Sequence, residues 1–255
     1  MRNYVRPGRI PVVGSAVSKT FQVLEHLSRA RGPVRLSALA TALGLQKSTL
    51  HRILAELVEL GYVAQEEGSG RYRPTLRTWE LGTAVVADLP VKQVAGPALH
   101  DLHTRTGETV SLVVRAGDDA LYLDKIVSPR PVRFTTREGS RVPLPVPAGG
   151  KAMLAFAHDG DDVVHRSAAP GGALAGLDVN AVLRTLERAR ERGYAVARGR
   201  GVTSIATPVL DRDQQPAAAL SVSAPTERLT PDRRAEIVDA VVTTAARLGE
   251  SLGRL

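Results

Sequence analysis

The chain has 255 residues, of which 43% are hydrophobic, and its formal net charge is +8. This length can bury a sizeable core and favours two domains of ordinary size, while no stretch approaches the roughly 18 consecutive apolar residues of a membrane span. The complete absence of cysteine excludes disulfides, thiolate metal sites and cysteine nucleophiles.

The first residues, "MRNYVRPGRIPVVG" (1–14), combine arginines, prolines and glycines without any periodicity, which predicts a flexible basic arm. They lack the long apolar segment of a signal peptide, so we expect a cytoplasmic protein with no membrane contact. Such an arm can reach a DNA minor groove or a phosphate. An ordinary disordered terminus is the other interpretation, and the one we favour.

Three helical patterns follow within residues 15–75. In the first, apolar residues recur at helical spacing from Ser15 until "RGP" interrupts the pattern. The segment "LSALATALGL" predicts a short second helix with Ser37 as its N-cap and Gly44 in the left-handed turn after it. The third helix begins in "LQKSTLHRIL", where polar and basic residues crowd the first turns.

A basic hairpin follows the third helix. The segment "YVAQEEGSGRYRP" predicts two short strands around "GSG", with Arg71 and Arg73 on the return strand. Three helices followed by such a hairpin predict a winged helix-turn-helix, in which the second helix of the pair enters the major groove of DNA.

The positive charge is concentrated in this part of the chain. Residues 1–75 contain 11 Lys and Arg against 5 Asp and Glu, whereas residues 76–255 contain 23 against 21. This distribution favours a nucleic-acid-binding module beside a nearly neutral domain. Side chains on the third helix can pair with bases or phosphates, and those on the hairpin with phosphates; the alternative is a solvated helix face. The predicted DNA contacts are Lys47, Ser48, Thr49, His51, Arg52, Arg71 and Arg73.

Residues 76–90 form a further helical run that is too apolar for a solvated linker. We expect this linker helix to pack against a second copy of the chain or against the first helix. Trp79 is then an anchor of an interface or of the core rather than a platform on which bases stack.

Residues 91–255 mix strand and helix patterns without an internal repeat. Strands are predicted at "TVSLVVRAG", "ALYLDKIV", "PVRFTT", "TSIATPVLD" and "PAAALSVSAP". Helices are predicted at "VKQVAGPALHDLHTRTG", "AGGKAMLAFA", "NAVLRTLERARERGY" and in a final amphipathic segment that begins at Thr230. Strand runs interspersed with helices indicate an α+β domain with a mostly antiparallel sheet.

This second domain contains a candidate carboxylate site. Alternation in "AAALSVSA" places Ser221 and Ser223 on one face of a strand, beside Ser204 on the next strand. The small residues that open "AGGKAMLAFA" leave backbone N–H groups able to receive an anion, and nearby aliphatic residues suit the rest of a ligand. In the alternative interpretation the serines bond locally and the glycines only shape a turn. The predicted effector-binding residues are Ala148, Gly149, Gly150, Ser204, Ser221, Ser223, Val132, Leu144 and Val146, with Val142 beside them.

Motifs for other chemistry fail. "PAGGK" lacks the first Gly and the Ser or Thr of a phosphate-binding loop, and "GRGVTS" breaks the dinucleotide fingerprint. His100 and His103 share a helix face, but they lack HExxH spacing and an evident third ligand, which favours surface histidines over a metal site. We therefore predict no cofactor, no metal and no catalytic residue.

Several segments together resemble one protein family. They are "SAVSKTFQVLEHLSRARGPVRLSALATALGLQKSTLHRILAELVELGYVAQEEGSGRYRPTLRTWELG", "SPRPVRF", "PLPVPAGGKAMLA", "RERGYAV" and "ATPVLDRDQQPAAALSVSAP". In this order, from about Ser15 to about Leu252, they resemble the IclR family of bacterial transcription regulators.

That resemblance implies a homodimer or dimer of dimers, whose winged helix binds double-stranded operator DNA and whose GAF-like or profilin-like α+β domain binds a small-molecule effector. The family's operator-reading helix corresponds to residues 47–60. Its ligand-contacting motif corresponds to Ala148, Gly149, Ser204, Ser221 and Ser223.

The sequence departs from the family pattern at two places. Pro147 stands where the family usually has Thr or Ser, and "GYAVARGRGVTS" is shorter than usual and carries Arg198 and Arg200 where acidic residues are common. These departures leave open a different ligand or none.

The leading hypothesis is a ligand-responsive regulator, a repressor or an activator, that senses a carboxylate or aromatic metabolite. The alternative is a constitutive DNA-binding regulator whose C-terminal domain only oligomerises. An enzyme fused to a DNA-binding domain has little support because no pair of nucleophile and base stands out.

Overall fold

The computed structural model describes residues 14–134 and 136–255, so the predicted arm lies outside the described residues except for its last position. The described chain forms two compact units, residues 14–88 and 89–255. In neither unit does a described helix combine the length and the apolar character that crossing a membrane requires.

The N-terminal unit is a winged helix-turn-helix, as predicted. Its two strands pair antiparallel, with Ala64 opposite Arg73. Its elements are α1 (Ala16–Arg29), α2 (Leu36–Leu43), α3 (Lys47–Glu59), β1 (Val63–Gln65), β2 (Tyr72–Pro74) and α4 (Leu76–Ala87).

Local signals explain most of the boundaries of these helices. Ser15 caps α1 by accepting a hydrogen bond from the N–H of Ser18, and Gly44 ends α2 in the left-handed region with φ of 63°. The prediction of Ser37 as the cap of α2 was wrong, because the helix begins at Leu36 and its N-cap is Arg35, which makes no side-chain cap.

A small apolar core holds the N-terminal unit together. The wing joins this core because Tyr72 is buried and exchanges two backbone hydrogen bonds of 2.8 Å with Val34. The buried residues of α1, α2, α3 and the wing are Val23, Leu27, Leu39, Ala40, Leu50, Ile53, Leu54, Leu57, Val63 and Tyr72.

The C-terminal unit is built around a sheet whose neighbouring strands all pair antiparallel, in agreement with the predicted α+β class. Its strands are β3 (Thr109–Ala116), β4 (Asp119–Ile126), β5 (Arg141–Pro143), β6 (Ala195–Gly199), β7 (Val202–Leu210) and β8 (Pro216–Pro225). Its helices are α5 (Pro90–Thr106), α6 (Ala148–Phe156), α7 (Gly160–Ala168), α8 (Val179–Arg192) and α9 (Pro231–Leu252). The strand order is β5-β4-β3-β8-β7-β6, which leaves β5 and β6 at the edges.

Helices cover both faces of this sheet, and strand alternation divides the side chains between them. On β3 and β8, Leu112 and Val222 join the core that α5 and α9 complete. Val113 and Ala219, which are opposite each other on the same two strands, join the core that α6, α7 and α8 complete. The second face carries the predicted effector-binding serines.

The predicted strand at "PVRFTT" was wrong. Its described residues, 131–134 and 136, lie in no strand, and the short edge strand β5 forms after them. The backbone there is bonded by a side chain rather than by a neighbouring strand, because Arg228 donates a hydrogen bond of 2.7 Å to the carbonyl oxygen of Val132.

The sequence analysis also missed α7 and β6. Strand β6 joins β7 through Arg200 and Gly201, whose φ angles are 51° and 74°. Positive φ at both central residues makes a type I′ hairpin, the tightest common connection. The segment "VARGRGV" therefore has strands on both sides of a two-residue turn.

Candidate DNA-binding and effector sites

Helix α3 turns a polar side to solvent because its other side is an apolar anchor. Leu50 and Leu54 are both 0% exposed in the core of the unit. Of the predicted contacts on this helix, Lys47, Ser48, His51 and Arg52 are exposed, and Thr49 is half-buried. We call these five residues, together with Arg71 and Arg73 of the wing, the DNA-binding surface.

The cations of the DNA-binding surface carry uncompensated charge. Within the described residues, no carboxylate pairs with Lys47, Arg52 or Arg73, and the ion pair found in this unit is that of Arg29 with Glu25 on α1. These unpaired charges can bind a polyanion without breaking an ion pair inside the protein.

The start of α3 contributes more than its charged side chains. Gln46 is the N-cap, its side chain makes no cap, and it is exposed. The first backbone N–H groups of a helix therefore remain open to a phosphate. The sequence analysis missed Gln46, although its place one residue before the basic cluster is the signal that identifies it.

The two arginines of the wing differ in exposure. Tyr72 points into the core, so Arg73 of β2 and Arg71, which directly precedes the strand, lie on the opposite face of the wing. Arg73 is exposed, whereas Arg71 is half-buried and its Nε has no hydrogen-bond partner within the described part of the chain. Arg73 is thus the more accessible phosphate contact of the two.

In the C-terminal unit, the predicted serines form part of two rows of hydroxyl groups across the sheet. In the first row, Thr109 of β3 is opposite Ser223 of β8, which is opposite Ser204 of β7. In the second row, Ser111 is opposite Ser221. We call these five residues the hydroxyl rows; they lie on the face that α6 and α8 cover.

The two hydroxyl rows differ in their hydrogen bonding. The Oγ atoms of Ser204 and Ser223 lie 2.8 Å apart, and Thr109 Oγ1 accepts from the N–H of Ser128 at 3.1 Å. The hydroxyls of Ser111 and Ser221 have no hydrogen-bond partner among the described residues, and neither oxygen is among the fully buried polar atoms, so both are open to solvent or a ligand. The first row is thus internally satisfied, and the second is not.

The N-terminus of α6 lies beside these rows. Its N-cap is Pro147, which has no side-chain oxygen, and the N–H groups of Ala148, Gly149 and Gly150 find no acceptor within the described residues. All three residues are buried. The departure at Pro147 therefore leaves three buried donors at the positive end of a helix.

Both glycines of α6 also have a packing role. A Cβ at Gly150 would overlap the carbonyl oxygen of Leu144, and one at Gly149 would lie 3.1 Å from Val113 Cγ2. Since Val113 lies two residues from Ser111 on the same face of β3, this close packing brings the helix start to the second hydroxyl row.

The structure does not bring all the predicted aliphatic contacts together. Leu144 is 0% exposed and Val142 packs against the same core, next to α6. Val132 is 67% exposed and Val146 43% exposed, and neither belongs to that core. The sequence suggested Val132 as an effector contact, but it does not determine where the loop that contains Val132 lies in the fold.

Comparison with known proteins identifies the family. Residues 16–67 match the IclR helix-turn-helix domain. Residues 83–249, more than half of the chain, match the bacterial transcriptional regulator IclR C-terminal model. The chain belongs to the IclR family. It is therefore a transcriptional regulator of the IclR type with a DNA-binding helix-turn-helix.

Curated IclR-type relatives match over almost their full length. The transcriptional repressor AllR of Salmonella typhi is 30% identical over 263 residues, covering 99% of this chain and 97% of the relative. The transcriptional regulator KdgR of Escherichia coli K12 is 32% identical over 253 residues, covering 94% and 93%. These relatives are named as regulators and not as enzymes, in agreement with the prediction.

Solved structures of IclR proteins share the fold. IclR of Thermotoga maritima superposes with a TM-score of 0.75 at 27% identity, covering 93% of this chain and 98% of that one. An IclR homolog from Microbacterium hydrocarbonoxydans, complexed with 4-hydroxybenzoate, superposes with a TM-score of 0.79 at 25% identity, covering 94% and 100%.

The two histidines considered for a metal site have other surroundings in this IclR-family chain. His100 is exposed, as predicted, whereas His103 is half-buried and its Nδ1 lies 2.9 Å from the carbonyl oxygen of Glu108. Across residues 14–134 and 136–255, no group of three or more potential metal ligands occurs.

Proposed function

We propose that this regulator binds operator DNA as a homodimer or a dimer of dimers, and that a small carboxylate in its C-terminal unit changes its affinity for the operator. The observation that carries the proposal is the pair of unsatisfied polar surfaces: free cations on α3, and free donors between α6 and the second hydroxyl row. Access to chromosomal DNA requires a cytoplasmic location.

For DNA binding we assign base contacts to the start of α3 and phosphate contacts to the wing. An α-helix fits the major groove, where Arg pairs with guanine and Ser or Thr with several partners. Arg73, on the exposed face of the wing, contacts a phosphate, which positions the protein on DNA without reading the base sequence. The assignment rests on the exposure of these side chains and on their lack of internal partners.

The test of this assignment is operator binding by Arg52→Ala in a gel-shift titration. We expect weaker binding with unchanged folding, because Arg52 is exposed and makes no internal bond. Arg31→Ala removes the same charge from an exposed position after α1 and is the matched control. Equal losses in the two variants would remove Arg52 from the DNA contacts.

For dimerisation we assign α4, supported by α1. None of the residues of α4 is buried, although Leu76, Trp79 and Val85 are 77%, 66% and 68% exposed, and Phe21 of α1 is 58% exposed. Large exposed apolar side chains in one unit mark an interaction surface, and helix-turn-helix proteins bind paired half-sites as symmetric dimers. A second copy of this chain is therefore the partner that we propose.

Sedimentation of the full chain tests the dimer. The wild type should sediment as a dimer or tetramer, and Trp79→Ser together with Val85→Ser should shift it toward the monomer. Paired substitution of Val132 and Leu255, which are also exposed but lie outside α1 and α4, controls for a general change in surface hydrophobicity. A wild-type monomer at micromolar concentration would contradict the proposal.

For the effector we assign a carboxylate to the three free N–H groups of α6 and to the hydroxyls of Ser111 and Ser221. The three N–H groups belong to buried residues and have no partner among the described residues, which is costly, and an anion at a helix N-terminus satisfies them. Leu144 offers the nearest apolar wall. A solved relative is complexed with 4-hydroxybenzoate, and this compound supplies the first probe.

A thermal shift series tests this assignment. The full chain is heated with 4-hydroxybenzoate and with a panel of small aliphatic and aromatic carboxylates, and a ligand that binds the native state raises the unfolding temperature. The response should be lost in Ser221→Ala and kept in Ser251→Ala, which removes a hydroxyl that bonds the Arg247 carbonyl oxygen of its own helix, α9. A response that Ser221→Ala retains would place the ligand elsewhere.

Operator binding in the presence of the active ligand separates this proposal from its alternative. If the ligand changes operator affinity by some factor, the operator must change ligand affinity by the same factor. A ligand that stabilises the protein but leaves operator binding unchanged, or no stabilising ligand at all, would favour a constitutive regulator whose C-terminal unit only oligomerises.

A further inference from the structure

A second group of unpaired cations lies in the C-terminal unit, at the β6 edge of the sheet. A cavity of about 270 Å³ opens there between α6, α8, β6 and α9. Its charged lining residues are all basic, and no Asp or Glu lines it. These residues, which we call the edge cluster, are Lys151, Arg188, Arg192, Arg198 and Arg234.

The edge cluster has no internal counter-charge. Within the described residues, none of its members makes an ion pair, whereas Arg190 on the same helix pairs with Asp161 at 2.8 Å. Lys151 is half-buried, and burial lowers the pKa of its ammonium group. Cations gathered in a concave site repel one another and favour a bound anion.

The walls of the cavity supply further groups for an anion. Tyr194 lines it and carries a phenolic hydroxyl, whereas the hydroxyl of Thr185, which also lines it, already donates to the carbonyl oxygen of Ala181. In the part of the chain that the structure describes, β6 pairs with β7 alone, so its outer edge is open to a ligand. The volume lies below the range of about 300–1,000 Å³ typical of drug-sized ligands, which indicates a small occupant.

We propose that the edge cavity binds a small oxyanion of more than one negative charge, a phosphate or a compact polycarboxylate. Arg guanidinium groups suit such anions because their N–H groups bond two oxygens at once. The site is separate from the effector site, because no serine of the hydroxyl rows and no residue of Ala148–Gly150 lines it.

Calorimetric titration of the full chain with inorganic phosphate and, separately, with citrate tests the proposal. We expect saturable binding of at least one of them, and either result supports the site while showing whether phosphate or carboxylate chemistry is preferred. Arg192→Gln and Arg234→Gln should each weaken that binding about tenfold, the loss of one charge-assisted hydrogen bond. No saturable binding of either anion would overturn the proposal.

Arg184→Gln is the matched control. It lies on α8, is exposed, removes the same charge and does not line the cavity. Binding should be unchanged in this variant, and a loss equal to that of Arg192→Gln would show general attraction to a basic protein and overturn the site. Circular dichroism confirms folding of each variant. A wild-type chain that binds phosphate but never responds to an effector would contradict only the function proposed above.

Discussion

Several arginines of the C-terminal unit hold carboxylates, whereas, in the described chain, the arginines of the DNA-binding surface do not. In the C-terminal unit, Arg115 bonds both oxygens of Asp159 at 2.6 and 2.7 Å, and Arg130 and Arg228 hold Glu108, which is 2% exposed. In the N-terminal unit, Arg52 and Arg73 meet no carboxylate among the described residues.

This difference separates structural charge from functional charge. A buried carboxylate such as Glu108 requires its partners, because an uncompensated buried charge is strongly destabilising. An exposed, unpaired cation adds nothing to stability, and its value is in binding. On this criterion the edge cluster resembles the DNA-binding surface more than it resembles the rest of its own unit.

The largest expected effect concerns the packing that brings α6 to the hydroxyl rows. Gly150→Ala should destabilise the C-terminal unit by about 3 kcal/mol, because the added Cβ overlaps the Leu144 carbonyl and the helix must move. Gly96→Ala, in α5 with nothing within 4 Å, should instead stabilise by about 0.5–1 kcal/mol. Urea unfolding followed by circular dichroism measures both. Similar values for the two variants would mean that α6 does not need this close approach.

The next effect separates two kinds of DNA contact. Arg52→Ala should weaken the free energy of binding to the operator by about 1–3 kcal/mol and that of binding to random DNA by much less, because a base contact is specific to sequence. Arg73→Ala should weaken both complexes alike and reduce the salt slope by about 1, because it removes a phosphate contact. Titrations at several salt concentrations distinguish them. If Arg73→Ala changed specificity, the wing would contact bases.

A smaller effect distinguishes the two hydroxyl rows. Ser204→Ala breaks the 2.8 Å bond to Ser223, strands a buried hydroxyl, and should cost about 1 kcal/mol of unfolding free energy. Ser221→Ala removes a hydroxyl that has no partner in the described chain, so stability should hold or rise while ligand binding falls. Chemical denaturation without ligand measures the unfolding free energy of both variants. Equal losses would show that the hydroxyls of the second row also have hydrogen-bond partners.

The sequence predicted the N-terminal unit well because its signals are local. The helical period of Leu50, Ile53 and Leu57 determines which side of α3 is buried, and hence that Arg52 faces outward. Gln46 and the burial of Arg71 escaped prediction because they depend on where a helix starts and how a wing packs.

The effector site was predicted only in part because it depends on register between strands distant in sequence. The alternation of side chains along the strand predicted the face on which Ser221 lies. Its position opposite Ser111 depends on the pairing of β3 with β8. Ser111 had no local signal. The position of Val132 depended on Arg228, nearly a hundred residues away, which holds its loop outside the ladder.

The smallest expected effect tests the paired charges of the C-terminal unit. Hydrogen bonds from Arg115 hold the pKa of the Asp159 carboxyl below its ordinary value. A depressed folded-state pKa adds stability above the unfolded value of about 3.9, and that stability is lost as pH falls through the folded pKa. Both side chains reach solvent, at 29% and 44% exposure, so the contribution is screened.

Asp159→Asn should therefore lower stability at neutral pH slightly and flatten its decline below about pH 4. Asp162→Asn is the control, because Asp162 lies in the first turn of α7, which Asp159 precedes as the N-cap, and makes no ion pair within the described residues. Thermal unfolding from pH 2.5 to 7 compares the two. If Asp159→Asn left the decline of stability at acidic pH unchanged, the ion pair between Asp159 and Arg115 would not contribute to stability. Pairing with a carboxylate would then not distinguish structural arginines from the binding arginines of α3.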